Sequence, residues 1–300
     1  MDAIRTHDLS KSYDAKLALA GVNLRVPAGS LFGFLGPNGA GKTTTIRILL
    51  GLLRASDGTA EVLGRDAWQQ GPALRADVGY LPGDVRFHEH MTGRATLRFL
   101  DAVRGGRSGP EIERLARRLD LELDRRIRDY SRGMKQKLGL IQALMHRPRL
   151  IILDEPTTAL DPLVRQTLYE LLREAQGAGR TVLFSSHTLS EVAELCDRVA
   201  ILRDGLLIEQ DRIATLRERA VRHVEVRFRA GTARPPAPAG LRCATREDER
   251  LSATWVGTVQ PLLAWLATCA VEDVTIGAPN LEDLFLAYYS TAGAAAEVRP

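Results

Sequence analysis

The stretch Gly36-Pro37-Asn38-Gly39-Ala40-Gly41-Lys42-Thr43-Thr44 fits the spacing G-x-x-x-x-G-K-[ST]. Its glycines let backbone N–H groups curl around phosphate oxygens, and a helix starting behind them points its positive dipole end at the same anion. In such a loop Lys42 reaches the β- and γ-phosphates of a nucleotide, and the Thr43 hydroxyl is a ligand for Mg²⁺. Further along, the apolar run "LIIL" ends in Asp154 and Glu155, followed by Pro156. Asp154 is placed to hold Mg²⁺ through water, and Glu155 to polarise a water that attacks the γ-phosphate. A second apolar run, "TVLFSS", delivers His187, which can donate a hydrogen bond to a phosphate oxygen. A glycine-rich turn, a strand ending in solvated acids and a lone histidine are each common alone. Their succession on one chain points to hydrolysis of a nucleoside triphosphate.

These residues need buried strands to carry them. Short strands are expected at "AIRTHDL" (3–9), "LALAGVNLRV" (17–26) and "LFGFL" (31–35). A helix follows from about Lys42, with Ile46, Leu49, Leu50 and Leu53 at helical spacing. Residues 93–147 read as mostly helical and Arg-rich, and strands recur at 150–153 and 181–185, each with a helical pattern behind it. That alternation predicts a largely parallel α/β core. Thr188 and Glu191 fit a capping box for the helix after His187, and Asp204-Gly205 a hairpin turn. From residue 219 the pattern changes. Alternating "HVEVRFRA", the Pro/Gly/Ala run 231–240, "LSATWVG", helical "VQPLLAWLATCA", "VEDVTIG" and a final helix "LEDLFLAYY" capped by Asn280 predict a small α+β domain over 219–290. The tail 291–300 is expected to fray.

Composition narrows the class. With 45% apolar and 26% charged residues and a net charge of +4, the 300-residue chain is ordinary for a globular protein and does not require an acidic partner. Cys196, Cys243 and Cys269 are far apart and include no C-x-x-C, which argues against a disulfide framework or zinc site and fits a reducing compartment. His88 and His90 alone make no metal site. The N-terminus lacks the apolar run of a signal peptide, and no apolar stretch approaches the roughly 18–20 residues that cross a bilayer. Any membrane-spanning part is therefore expected on another chain. The asparagines, Asn23, Asn38 and Asn280, form no N-K-x-D guanine reader.

The order of phosphate loop, Tyr130-Ser131-Arg132-Gly133-Met134, "LIILDEP", Thr158-Ala159-Leu160-Asp161 and His187 resembles the ATP-binding subunits of ABC transporters, over about residues 3–215. The resemblance implies a P-loop NTPase core of the ABC type, with a mixed β-sheet, helices and a helical signature subdomain near 85–147, in an ATP-binding domain over 1–218. It implies ATP and Mg²⁺ as cofactors, and Tyr13 as the aromatic that stacks on adenine. Ser131 and Gly133 belong to the family's signature, which completes the ATP site of a second subunit packed head to tail, either another copy or a homologue. Asp161 matches the aspartate that communicates across that pair. Two departures stand out. Arg132 and Met134 replace a Gly and the Gln of the usual signature. Gly83 stands where the family's Q-loop glutamine falls, leaving either the Asp84 carboxylate as a further Mg²⁺ ligand or backbone motion as the relay.

"YSRGMKQKLGL" and the extension ending in "PNLEDLFLAYY" look like ATPases paired with separately encoded exporter permeases for drugs, antibiotics or sodium. The resemblance then places the chain at the cytoplasmic face of the membrane, held by its permease, with no nucleic-acid partner. The small C-terminal domain would serve dimerisation, stability or regulation, or be a structural appendage. The rival readings are an importer subunit and a soluble ABC-type ATPase on ribosomes or DNA. Ribosomal ones usually carry two ATPase units per chain, and DNA-acting ones insert a long coiled coil between Thr43 and Ser131, where this chain shows no sustained heptads.

Overall fold

The computed structural model describes residues 1–14, 16–232, 235–246 and 249–279. The chain divides into two units, Met1–Gln210 and the part from Asp211 onward, a boundary that lies ahead of the expected 218/219.

Six strands form one sheet in the order Leu206–Arg212, Arg198–Arg203, Leu31–Leu35, Thr181–Ser186, Leu150–Asp154, Val78–Leu81, the first of them running past Gln210. The pairings from Arg198–Arg203 through Val78–Leu81 are all parallel. Parallel sheets are covered on both faces, so their strands are continuous apolar runs. Every residue of Leu31–Leu35, Leu150–Asp154 and Thr181–Ser186 is accordingly buried. Their register sets Leu35 beside Ser186 and Ser185 beside Asp154. The phosphate-loop sequence, the paired acids and His187 therefore leave the sheet at one edge, the carboxyl ends where open α/β sheets hold ligands.

A second, antiparallel sheet runs Lys16–Val22, Asp2–Tyr13, Asp57–Val62, Arg65–Asp66, with Arg25–Pro27 also on Asp2–Tyr13. The stretch 17–26, expected as one strand, breaks at Asn23. Its side chain turns onto Asp8, donating from Nδ2 to Asp8 Oδ1 while Oδ1 accepts from the Asp8 amide, both at 2.9 Å. Leu9, Val26, Phe34, Ile46, Leu49 and Val62 share one apolar core. The helical stretch contains Gly93–Val103, Gly109–Arg118 and Arg132–Leu144. Leu138, Ile141, Leu144 and Met145 face inward as their spacing predicts.

His146, just past the last of these helices, donates from Nε2 to the Val78 carbonyl at 3.2 Å, and its buried Nδ1 has no partner among the described residues. Burial, with the Arg104 charge adding, pushes His146 down to about 4. The unfolded chain binds this proton near pH 6.5, so stability is full above that value and falls as pH drops toward 4. Acidification from pH 7 to 5 is expected to cost about 1–2 kcal/mol through this ring. Denaturant unfolding at both pH values checks it, since His146→Gln should remove that share of the loss.

In the second unit Leu241–Arg246, Arg250–Val256, Val221–Phe228 and Val271–Ile276 form an antiparallel sheet in that order. The helix Val259–Ala267 lays Leu262 and Leu266 on Val224, Val226, Phe228 and Trp255. One face buried and one exposed explains the alternation in "HVEVRF". The strand Leu241–Arg246 was not legible beside the Pro-rich run. The final helix capped by Asn280 and the tail 291–300 lie outside the described residues. Among the described residues no helix is long and apolar enough to cross a membrane. Cys196 is buried, and burial raises its thiol pKa, which suits core packing.

Candidate active site

Gly41, at φ +105°, turns the chain into the helix Lys42–Leu49, a conformation that residues with a Cβ rarely adopt. No side chain caps this helix, so its first N–H groups face the loop and are free for an anion. The Lys42 side chain is only 5% exposed. Its ammonium donates to the carbonyls of Gly36 at 2.6 Å and Pro37 at 3.2 Å, and lies 3.3 Å from Glu155 Oε1. These acceptors offset the cost of burying the charge.

Asp154 is also buried and needs donors. Ser185 Oγ donates to its Oδ1 at 2.7 Å, and Thr43 Oγ1 to its Oδ2 at 2.8 Å. The phosphate-loop hydroxyl and the strand-end carboxylate thus meet directly. Ser185 Oγ also accepts from the Glu155 amide at 3.1 Å. Glu155 has φ +49°, left-handed backbone for a residue with a full side chain. Its carboxylate stands between Lys42 and His187, whose Nδ1 is 3.4 Å from Oε2. Next to this cluster, burial foremost and the Asp154 charge after it push the Tyr80 hydroxyl up to about 12.

A cleft of about 580 Å³ is lined by Tyr13, Pro37, Asn38, Lys42, Thr43 and Glu155 among others, with Asp154 and His187 behind its lining. Gly39, Gly41 and Thr44 also line it, and Ala40 is buried beneath. Tyr13 is partly exposed at its rim, with Lys11 Nζ 5.3 Å from the ring centroid. Lys11 covers one face of the ring, and its exposure in the cleft lining leaves the rest for a planar ligand.

The structure does not bring every expected residue here. Ser131 caps the helix Arg132–Leu144, accepting from the Met134 amide at 3.2 Å, and does not line the cleft. Gly133 backs onto the loop after Glu155, where a Cβ would stand 2.8 Å from the Ala159 carbonyl. Asp161 caps the helix Pro162–Gly177 through the Val164 amide at 3.0 Å. That hydrogen bond holds its carboxyl below the usual range. Asp84 is exposed and pairs with Arg86 at 2.8 Å, in a separate cleft with Tyr130 and Lys135. Gly83 is the residue that faces the cluster: a Cβ there would sit 3.5 Å from the Asp154 carbonyl and 3.9 Å from Oδ2.

Two polar residues were missed in the sequence, and a third was given another role. Ser185 is signalled only by its register with Asp154. Buried Gln136 donates to the Pro156 carbonyl at 3.1 Å, tying the Ser131 helix to the exit of the Glu155 strand. Glu191 forms no capping box. Thr188 makes no side-chain cap, and buried Glu191 instead accepts from Ser186 Oγ at 2.7 Å and Thr157 Oγ1 at 3.1 Å. The two hydroxyls lie inside the fold, where a carboxylate needs them more than a helix end does.

Residues 19–158 match the family model described as ABC transporter. The chain is 36% identical over 228 residues to the bacitracin transport ATP-binding protein BcrA of Enterococcus faecalis, covering 74% of this chain and 73% of that one. It is 34% identical over 299 residues to the daunorubicin resistance ATP-binding protein DrrA3 of Streptomyces coeruleorubidus, covering 95% of both. A solved ATP-binding subunit of an ABC transporter superposes with a TM-score of 0.67 at 31% identity, over 72% of this chain and 92% of that one. With its P-loop NTPase fold and these likenesses, the chain belongs to the ATP-binding, ATP-hydrolysing subunits of the ABC transporter family.

Proposed function

We propose that this ATPase powers a separately encoded membrane permease that exports a drug, an antibiotic or another small molecule or ion. The observation that carries the site reading is the 2.8 Å contact of Thr43 Oγ1 with Asp154 Oδ2. Hard oxygen donors suit Mg²⁺, so the Thr43 hydroxyl would ligate the ion and the Asp154 carboxylate would hold it through water. Mg²⁺ bound there neutralises charge on the β- and γ-phosphate oxygens. Lys42 and the open amides of the Lys42–Leu49 helix hold the phosphates, and Tyr13 stacks on adenine. Glu155 accepts the proton of the attacking water, and His187 orients Glu155 and the γ-phosphate. Ser131, Gly133 and Asp161 lie outside this cleft, which supports their serving the ATP site of a second copy or a homologue packed head to tail. The export direction rests on likeness to relatives named for bacitracin transport and daunorubicin resistance. On this reading the chain works at the cytoplasmic face of the membrane.

The test is capture from native membranes with tagged Glu155→Gln, ATP and Mg²⁺. Retention of a multi-spanning protein without ATPase motifs is expected. Recovery of ribosomes, DNA or soluble proteins alone would overturn the transport reading and leave the ATPase chemistry in place.

Gly83 gives a further expectation. The Cβ distances leave room for a side chain beside Asp154, so Gly83→Gln should add an amide oxygen near the metal position. The Mg²⁺ concentration for half-maximal ATPase activity should then fall by about tenfold. An unmoved Mg²⁺ titration would place residue 83 outside the metal's surroundings.

A further inference from the structure

Glu191 is a buried carboxylate whose one oxygen, Oε2, takes two hydroxyls from two different strand exits. Thr157 lies two residues after Glu155, and Ser186 lies one before His187. The same Ser186 Oγ accepts from the Thr188 amide at 2.9 Å, so it closes the turn that carries His187. The other oxygen, Oε1, faces Arg165 Nη1 at 3.8 Å, and Arg165 sits in the first turn of the helix that Asp161 caps. Arg165 Nε is buried without a hydrogen-bond partner, so Glu191 is its nearest compensating charge among the described residues. A single side chain therefore spans the loop behind Glu155, the turn before His187 and the Asp161 helix.

From this geometry we infer that Glu191 is a positioning residue for ATP hydrolysis: it sets the spacing of Glu155 and His187 by holding Thr157 and Ser186 on one oxygen. The inference rests on the reading of Glu155 and His187 as the groups that act on the γ-phosphate. It has mechanical grounds. Glu155 and His187 meet at 3.4 Å, and each is exposed enough to need its backbone fixed from behind. Without the Glu191 carboxylate, Thr157 and Ser186 lose their common acceptor, and beyond the Ser185 link the Glu155 loop and the His187 turn are no longer held to one another. The phosphate loop and Lys42 are held by other bonds and stay in place.

The experiment compares full-length wild type, Glu191→Ala, Glu191→Gln, Thr157→Val and the Glu191→Ala/Thr157→Val pair. It measures kcat per nucleotide-binding site and, separately, ATP affinity. Glu191→Ala is expected to lower kcat about 10- to 100-fold with ATP affinity little changed. Glu191→Gln, whose amide oxygen still accepts a hydroxyl, should recover a large part of that loss. Thr157→Val should cost little more in the Ala background, because its hydroxyl has already lost its acceptor. Glu194→Ala on the exposed face of the same helix controls for helix damage and should match wild type. A Glu191→Ala variant with wild-type kcat overturns the inference. So does one in which affinity and the number of binding sites fall along with kcat, the mark of a merely structural role. Glu155→Gln runs alongside: if it keeps wild-type turnover, the underlying site reading fails instead.

Discussion

Glu155→Gln is expected to lower kcat for ATP about 10²- to 10⁴-fold, the usual contribution of a positioned general base, while ATP still binds. The geometry predicts both halves of this result. The Glu155 carboxylate ends between Lys42 and His187 at the mouth of the cleft, where a water beside the γ-phosphate would stand. The amide of Gln keeps the shape and loses the basicity. It also releases Lys42 from its pairing with Oε1, leaving the ammonium freer to turn to phosphate, so affinity should hold or rise. Steady-state ATPase assays and equilibrium binding of ATP separate the two effects. Turnover at the wild-type rate would remove Glu155 from the role of base.

Lys42→Ala should act on the opposite quantity. Two charge-assisted hydrogen bonds to phosphate, each about 1.5–3 kcal/mol, amount to a loss of roughly 10²- to 10⁴-fold in ATP affinity. The ammonium is nearly covered and already points along the loop carbonyls, so little reorganisation stands between it and a bound anion. Because its removal leaves Glu155 without a cation, thermal unfolding of the variant must be followed beside calorimetric ATP titration. A folded variant with unchanged affinity would refute the phosphate-loop assignment.

Much of this site was legible before any coordinates. Buried parallel strands announce themselves as apolar runs, and the candidate site residues follow their ends, so Thr43, Asp154, Glu155 and His187 could be placed by counting. The backbone pattern of Gly36–Lys42 could be read for the same reason. Ser185, Gln136 and Glu191 could not, because Asp154, Pro156 and Thr157, which they hold, lie 20 to 34 residues away in sequence and meet them only through strand register and helix packing. Glu191 shows how a local rule fails: its spacing from Thr188 suits a helix cap, and burial against Thr157 and Ser186 overrode it. The break at Asn23 followed from a side-chain exchange with Asp8 that no periodicity reveals. In the second unit the alternating strands were readable, while the strand beside the proline-rich run was not.

The left-handed backbone at Glu155 has a consequence for how this protein tolerates change. That conformation costs a residue with a Cβ about 1–2 kcal/mol and costs glycine almost nothing. On the proposed reading of Glu155 as the base, the backbone at this position favours a residue that could not do its work. A library sorted for thermal endurance alone would weigh that relief against the lost partner of buried Lys42, and any glycine it kept there would mark proteins that, on the proposed reading, bind ATP with little turnover.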